Sequence, residues 1–264
     1  HNCFDNIGHE HLIYPGLRVF ERILQQARTD MYVQNVEFND VNGGSIRLYV
    51  TKEGYPSSSI VAARQMEDTL GLEEISTYVQ FANRVTEIRR QIRSIVQKAN
   101  DERKSVMAYG ASTRGSTTLQ YCGIDNTAIE AIAERNPSKW GLITSGTHIP
   151  IISEEEARWR KPDYLLVLPW QFKKEFVQRE AGYLKGGGKM IFPLPWPAVV
   201  GGGGGGGQRK PMMTAVGAEV VAGDAELTHV GDSFLAGCTE LTFVDFAPLA
   251  NLTIVGDSFM SDCA

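Results

Sequence analysis

The sequence has few cysteines, no long apolar run and no excess of positive charge. Its four cysteines, in 264 residues, are far apart and form no CxxC pair. Neither a zinc site nor a disulfide framework is therefore predicted, and a reducing cytoplasm is the expected compartment. No apolar run could span a bilayer, and no secretory signal opens the chain. A net charge of −5 disfavours nucleic acid and anionic membrane as partners.

Composition divides the chain at residues 201–207, seven consecutive glycines. Such a run has no side chains to bury and maximal backbone freedom, which predicts a flexible linker over residues 198–212. A glycine-rich ligand loop is the alternative, but it would need interspersed residues that fix its shape.

Upstream of the glycines the pattern is α/β. Apolar residues at helical spacing predict a helix over residues 15–27, and two strand-like runs, 32–38 and 45–50, flank a turn at Asn42-Gly43-Gly44. A long amphipathic helix follows. Its predicted apolar face consists of Val85, Ile88, Ile92, Ile95, Val96 and Ala99.

From Ser105 onward, short apolar strands alternate with helices. This alternation predicts a parallel sheet covered on both faces, with ligands at the carboxyl ends of its strands. The predicted strands are residues 106–111, 128–133, 149–152, 164–168 and 189–192. Predicted helices include residues 118–121, a helix that begins after Ser153, and residues 172–184.

Downstream of the glycines the sequence repeats. The run Val230-Gly-Asp-Ser-Phe234 recurs 25 residues later as Val255-Gly-Asp-Ser-Phe259. A fixed period of this size is typical of a solenoid, and the segment resembles the BspA type of leucine-rich repeat. We therefore interpret residues 213–264 as partial leucine-rich repeats that contact a protein partner.

The loop of residues 110–116 is a candidate phosphate site. Glycines there let main-chain N–H groups approach a phosphate, and the amino end of the next helix favours negative charge. A tight strand-to-helix turn without a ligand explains the loop equally well. The candidate substrate-binding residues are Gly110, Ser112, Thr113, Arg114, Gly115 and Ser116, with Arg114 able to pair with a phosphate.

Glu134, at the end of the second predicted strand, is a candidate for hydrogen bonds to ribose hydroxyls. An exposed carboxylate paired with Arg135 is the alternative. His148 precedes the third strand, where it either reaches a ligand or caps a turn.

The amino end carries His9-Glu10-His11, followed by Tyr14. Two imidazoles and a carboxylate can ligate metal, but too few ligands are present and we predict no metal site. An imidazole as general base is more attractive, because its pKa lies near neutrality. An ordinary surface His-Glu-His is the alternative.

Several short motifs follow one another along the chain. They are His9-Glu-His11 with Tyr14, Gly43-Gly-Ser-Ile-Arg47, Tyr109-Gly-Ala-Ser112, Arg135-Asn-Pro137, Gly146-Thr-His-Ile-Pro150, Lys161-Pro-Asp163 and Leu168-Pro-Trp170. In this order they resemble the motifs of sugar-nucleotide C-methyltransferases, and the resemblance covers roughly residues 1–197.

The resemblance implies a division into domains. Residues 1–51 are expected to be the end of a class I methyltransferase domain that binds S-adenosyl-L-methionine, and residues 52–197 a Rossmann-like domain that helps to hold the nucleotide-linked sugar. The donor loop and a zinc-binding domain are expected upstream of residue 1. The chain is thus interpreted as a fragment with no methyl-transfer activity of its own.

The resemblance also implies a mechanism. His11 is expected to be the base that removes a proton from a carbon next to a ketone, with Glu10 and His9 beside it. The enolate then attacks the methyl group of the sulfonium donor. The tyrosine that usually precedes the motif in the family is Gly8 here. A non-catalytic nucleotide-sugar-binding module is the alternative function.

Overall fold

The computed structural model describes residues 2–8, 11–201, 229–230 and 254–255. Its contacts divide the chain into two compact units, of which one contains Pro15–Thr77 and the other combines Asn2–Tyr14 with Tyr78–Gly207. The first unit consists of helix α1 (Leu17–Gln26), strands β1 (Tyr32–Asn39) and β2 (Ser45–Thr51), and helix α2 (Ser58–Thr69).

The first unit is a β-hairpin covered by two helices. Its strands pair antiparallel, and the turn between them contains Asn42, Gly43 and Gly44, all at positive φ. Glycine and asparagine tolerate this conformation better than other residues, which explains why the sequence predicted the hairpin correctly. A small core fills the space between hairpin and helices. It is formed by Leu17, Val33, Val36, Ile60 and Ala63.

Helix α3 (Ile75–Asp101) lies mostly in the second unit. Its buried residues recur every three or four positions, as the amphipathic pattern predicted. They are Val85, Ile88, Ile92, Val96 and Ala99.

The second unit is a six-stranded sheet with helices. Its strands have the spatial order β5-β4-β3-β6-β7-β8. The strands are β3 (Val106–Tyr109), β4 (Ile132–Glu134), β5 (Ile151–Ser153), β6 (Tyr164–Val167), β7 (Lys189–Phe192) and β8 (Ala198–Gly201). The helices that follow α3 are α4 (Thr113–Cys122), α5 (Glu154–Arg160), α6 (Lys173–Arg179) and α7 (Ala181–Lys185). Strands β3 to β7 pair parallel and are largely buried, which confirms the expected α/β class.

The sheet differs from the prediction at its edge. Strand β8 pairs antiparallel with β7, so the sheet is mixed and uses residues that composition placed in the linker. Small and apolar residues at 198–201 carry no periodic signal, and only the exposed edge of β7 makes them a strand.

Two other boundaries were predicted wrongly. Residues 128 and 129 belong to a turn in which both amides donate to the Asp125 carbonyl, so β4 begins only at Ile132. The helix predicted over 172–184 is divided at Glu180, whose backbone leaves the helical region and whose side chain is buried.

Strand order reverses beside β3. The chain passes from β3 to β4 and β5 on one side, and then returns to β6 on the other side of β3. The loops that follow β3 and β6 therefore start side by side and lead to strands on opposite sides, and sheets of this kind bind ligands in the crevice between such loops.

Two short strands lie outside this sheet. β9 (His229–Val230) pairs parallel with β10 (Ile254–Val255), in a register that joins His229 to Ile254. Apart from these four residues, the predicted repeats lie outside the described residues. In the described part of the chain, no helix combines the length and apolar character that crossing a membrane requires.

Candidate functional site

The loop after β3 passes very close to the loop after β6. Gly110 has a φ of +87°, and a Cβ atom placed there would lie 2.5 Å from Cγ of Pro169. Glycine is therefore required at position 110 for two reasons: it adopts positive φ without strain, and its lack of a side chain lets the two loops approach closely. The Leu168 amide, which donates to the Tyr109 carbonyl over 3.1 Å, joins the loops at their base.

Ser112 begins helix α4 as its N-cap. Its Oγ accepts a hydrogen bond of 3.1 Å from the Gly115 amide, and Gly115 is buried. The first two amides of the helix, on Thr113 and Arg114, are among those that α-helical bonding leaves without a partner. Thr113 is exposed and Ser116 is half-buried. The loop thus offers two amides and two hydroxyls at a helix amino terminus.

Glu134 contacts the loops around it through the main chain. Its Oε2 accepts from the Ala111 amide at 2.8 Å, and its Oε1 accepts from the Asn136 amide at 2.9 Å. Arg135, the partner considered from sequence, pairs with Glu154 at 3.7 Å instead. A ribose hydroxyl at Glu134 would therefore share oxygens that already hold two amides.

Arg114 pairs with an aspartate from the amino end of the chain. Its Nε donates to Oδ2 of Asp5 at 2.9 Å, and the same oxygen accepts from Nε1 of Trp170 at 2.9 Å. Asp5 lies in a 3-10 turn, Phe4–Asn6, and its side chain is 1% exposed. Because Trp170 follows β6 and Arg114 follows β3, one carboxylate joins both loops.

The charges around Asp5 are strongly desolvated. Burial raises the pKa of its carboxyl above the ordinary value, although the hydrogen bond from Trp170 and the charge of Arg114 act in the opposite direction. The guanidinium of Arg114 also lies 5.7 Å from the centroid of the Trp170 ring. A phosphate that engaged Arg114 would have to compete with Asp5.

His11 contacts the same turn. Its Nδ1 lies 3.0 Å from the carbonyl oxygen of Asn6, to which the Tyr14 hydroxyl also donates over 3.1 Å. A carbonyl only accepts, so the contact requires Nδ1 to carry a proton. In the neutral ring Nε2 is then the nitrogen with a free lone pair, which is the state of a general base.

The other two residues of the motif, His9 and Glu10, lie outside the described residues. Their predicted roles beside His11 therefore stay predictions.

His148 is not brought together with this site. It precedes β5, whereas the loop of residues 110–116 follows β3. Because these strands run parallel, the two positions lie at opposite ends of the strands, His148 at the amino ends and the loop at the carboxyl ends. Its φ is +54°, in a turn closed by the Thr144 and Thr147 hydroxyls, 2.7 Å apart. The prediction that it shares a ligand with the loop needs correction: His148 lies in this turn, where its main-chain amide donates to the Thr144 carbonyl and its side chain is exposed.

Sequence reasoning missed Asp5 and Trp170. Trp170 was part of a recognised motif, Leu168-Pro-Trp170, but no role was assigned to it, and Asp5 lies four residues before His9. Neither carries a spacing signal, because their partner Arg114 is 109 residues from Asp5.

A network of charges surrounds the end of β3 on the side of α6. Glu180 accepts from Arg158 at 2.7 Å and from the Tyr109 hydroxyl at 3.3 Å. Burial raises the pKa of Glu180, but the hydrogen bond and charge of Arg158 outweigh it, so the net pKa lies below the ordinary value. Burial likewise raises the pKa of Tyr109. Among the described residues, no group of three or more His, Cys, Asp or Glu is placed to hold a metal ion.

Comparison with known proteins is consistent with this geometry. Residues 40–195 match the family described as the C-methyltransferase C-terminal domain. The chain is also 34% identical over 202 residues to the C-methyltransferase NovU of Streptomyces niveus, an alignment that covers 75% of this chain and 48% of that protein.

The family match includes more than half of the chain, and the chain therefore belongs to the C-methyltransferase family through its C-terminal domain. It spans about half the length of the curated relative that it matches.

Proposed function

We propose that this chain is the carboxyl-terminal region of an S-adenosyl-L-methionine-dependent C-methyltransferase that methylates a nucleotide-linked deoxysugar at a carbon next to a ketone. The observation that carries the proposal is the contact between Nδ1 of His11 and the Asn6 carbonyl, within a chain of this family. In the neutral ring, this contact gives the one described histidine of the motif the tautomer in which Nε2 can accept a proton.

The chemistry assigned to this chain is proton removal and alignment of the sugar. A carbon acid beside a ketone loses its proton to Nε2 of His11, and the enolate keeps the negative charge on oxygen. Tyr14, half of whose surface is exposed, lies with its ring centroid 5.8 Å from that of His11 and belongs to the same face. Glu10 and His9 are proposed as neighbours of the base.

The nucleotide is proposed to bind at the crevice beside β3. The amides of Thr113 and Arg114 and the hydroxyls of Thr113 and Ser116 provide donors for a diphosphate at the amino end of α4. Gly110, Ser112 and Gly115 give the loop its shape. Glu134 orders the loop through the Ala111 amide and is the proposed neighbour of the ribose.

The described residues do not fit the methyl donor. A cavity in the first unit is lined by three arginines, Arg18, Arg22 and Arg64. Glu21 also lines this cavity, but it is paired with Arg64, so the one carboxylate of the lining is already neutralised and attracts a sulfonium only weakly. We therefore assign no donor contact to this chain, and propose that the donor and any zinc are held by sequence outside it.

A binding module joined to an interaction segment is the second candidate function. It is favoured by the parallel pairing of β9 with β10, because the paired residues lie one sequence repeat apart, as neighbouring coils of a solenoid do. In this case residues 213–264 would bind a protein partner, and the sheet domain would hold a nucleotide-sugar without turnover.

One measurement tests the nucleotide crevice that both candidates share, and a second separates the two candidates. Isothermal titration of the chain with dTDP and with UDP should give heat of binding in either case, and no heat for both nucleotides would contradict the proposed crevice. The chain extended with a methyl-donor domain, supplied with S-adenosyl-L-methionine and a dTDP-4-keto sugar, should form a methylated sugar. His11→Ala should abolish that product, and a full rate in this variant would remove the base assignment.

A further inference from the structure

The 3-10 turn Phe4–Asn6 is fixed more firmly than its length would suggest. Phe4 is buried with its ring 5.0 Å from that of Tyr121, and Asn2 is fully buried, with its Nδ2 donating to the Pro195 carbonyl over 3.4 Å. Asp5 adds the contacts with Arg114 and Trp170. The side chains of Asn2, Phe4 and Asp5 thus attach this short turn to the sheet domain.

The next residue along the turn is the one that holds His11. The main-chain oxygen of Asn6 accepts from both His11 and Tyr14, and it follows directly after Asp5 in the chain. His11 itself is exposed, so few packing contacts hold its ring. The position of the Asn6 carbonyl therefore decides which tautomer the imidazole adopts.

We propose that Asp5 and Arg114 are positioning residues: their ion pair fixes the Phe4–Asn6 turn so that the Asn6 carbonyl holds His11 with its proton on Nδ1 and its lone pair on Nε2. This inference rests on the proposed function for its catalytic meaning. It also gives Arg114 a task different from phosphate binding, since the guanidinium acts on the base through the turn.

The geometry explains why a charged pair is used. Asp5 is surrounded by protein, so an isolated carboxylate would be strongly disfavoured there. The guanidinium and the indole N–H supply donors to one oxygen from two different loops. Removal of either partner leaves a buried group unpaired, and such losses are severe compared with those at exposed pairs. The turn should therefore loosen when the pair is broken.

The test is the tautomer of His11, read from the ¹⁵N shifts of its ring nitrogens in long-range ¹H–¹⁵N spectra of the chain at about pH 8.5, where imidazole is neutral. His11→Ala identifies the resonances. The unaltered chain should show the proton on Nδ1. Asp5→Ala and Arg114→Gln should shift the ring to a mixture in which Nε2–H, the form that an unconstrained imidazole prefers, predominates.

Three further variants sharpen the result. Asp5→Asn keeps an oxygen that can accept from Trp170, and should retain more of the Nδ1–H form than Asp5→Ala. Arg135→Gln removes an exposed arginine whose partner is Glu154, and should leave the tautomer unchanged. Tyr14→Phe removes the second donor to the Asn6 carbonyl and should also leave the His11 tautomer unchanged. Amide spectra of β3 and β6 report whether each variant is folded. If Asp5→Ala does not fold, the tautomers of Asp5→Asn and Arg114→Gln test the positioning role.

Two results would overturn the inference, whether or not the chain takes part in methyl transfer. One is an unchanged Nδ1–H tautomer in folded Asp5→Asn and Arg114→Gln. The other is a tautomer shift of equal size in Arg135→Gln. In the methyl-transfer assay, Arg114→Gln should lower kcat with little change in KM for the nucleotide-sugar. A raised KM with unchanged kcat would instead make Arg114 a phosphate ligand and overturn its positioning role. Full activity of His11→Ala would remove the proposed function, yet would not alter the tautomer result.

Discussion

Glu134 Oε2 accepts a hydrogen bond of 2.8 Å from the amide of Ala111, 23 residues earlier in the chain. The carboxylate thus joins the end of β4 to the glycine loop that follows β3, while its other oxygen holds the Asn136 amide. Lys139 adds a third tie, because its Nζ donates to the Ala111 carbonyl at 2.7 Å. The loop is therefore held in shape by the protein itself before any ligand binds.

Replacement of Glu134 by alanine should loosen this loop. Two main-chain amides would lose a charged acceptor, so we expect a cost of roughly 1–3 kcal/mol in the free energy of unfolding. The amides of Ala111 and Asn136 should exchange hydrogen faster than in the unaltered chain. Glu130→Ala, an exposed glutamate just before β4, is the matched control and should leave both exchange rates unchanged. Equal rates in Glu134→Ala would contradict the role given to this carboxylate.

Alanine at Gly110 should destabilise the second unit more than alanine at Gly141. Both glycines have positive φ, +87° and +80°, so both variants carry backbone strain. Only at Gly110 does the new methyl group meet another atom, Cγ of Pro169 at 2.5 Å. We expect Gly110→Ala to lose about 1–3 kcal/mol more than Gly141→Ala in urea unfolding. Equal losses would show that the two loops move apart without cost.

Glu180→Gln should change the pH dependence of stability. The folded-state pKa of Glu180 lies below its ordinary value of 4.5, since the hydrogen bond and charge of Arg158 outweigh the effect of burial. The ionised form is therefore favoured in the fold, and its contribution is present above about pH 4.5 and lost as the pH falls through the folded pKa. Urea unfolding between about pH 7 and pH 3 should show a smaller decline in Glu180→Gln than in the unaltered chain.

The matched control for this titration is Glu175→Gln, an exposed glutamate on α6. Its unfolding free energy should follow the unaltered chain at every pH. If the curve of Glu180→Gln ran parallel to that of the unaltered chain, the carboxylate would not be the titrating group.

Tyrosine at Gly8 should be accepted without loss of stability. A Cβ atom at this position meets no other atom within 4 Å. We expect the unfolding free energy to change by less than about 0.5 kcal/mol, because a Cβ there displaces no neighbouring atom. Gly188→Ala is the contrasting variant, because its Cβ would lie 2.3 Å from the Tyr183 ring and should be costly. In the assay with the donor domain supplied, Gly8→Tyr should raise the rate, since resemblance to the family places a phenol here that positions the sugar.

Local sequence determined the order and the type of most elements. The hairpin follows from Asn42-Gly43-Gly44, whose residues tolerate positive φ, and the inner face of α3 follows from apolar residues three and four apart. The buried parallel strands follow from short apolar runs between helices. The candidate loop after β3 and His11 were also proposed from sequence, because glycine, hydroxyl and imidazole groups have recognisable chemistry and occur in ordered motifs.

Only the tertiary structure decided which partners these groups have. Arg114 pairs with Asp5 across 109 residues, and Glu134 accepts hydrogen bonds from main-chain amides. His148 lies at the amino ends of the strands, whereas the glycine loop lies at their carboxyl ends. Residues 198–201 became a strand because β7 had an open edge. The physical reason is the same in each case: periodicity reports whether a residue is buried, whereas a polar group's partner is set by strand order and by the path of loops distant in sequence.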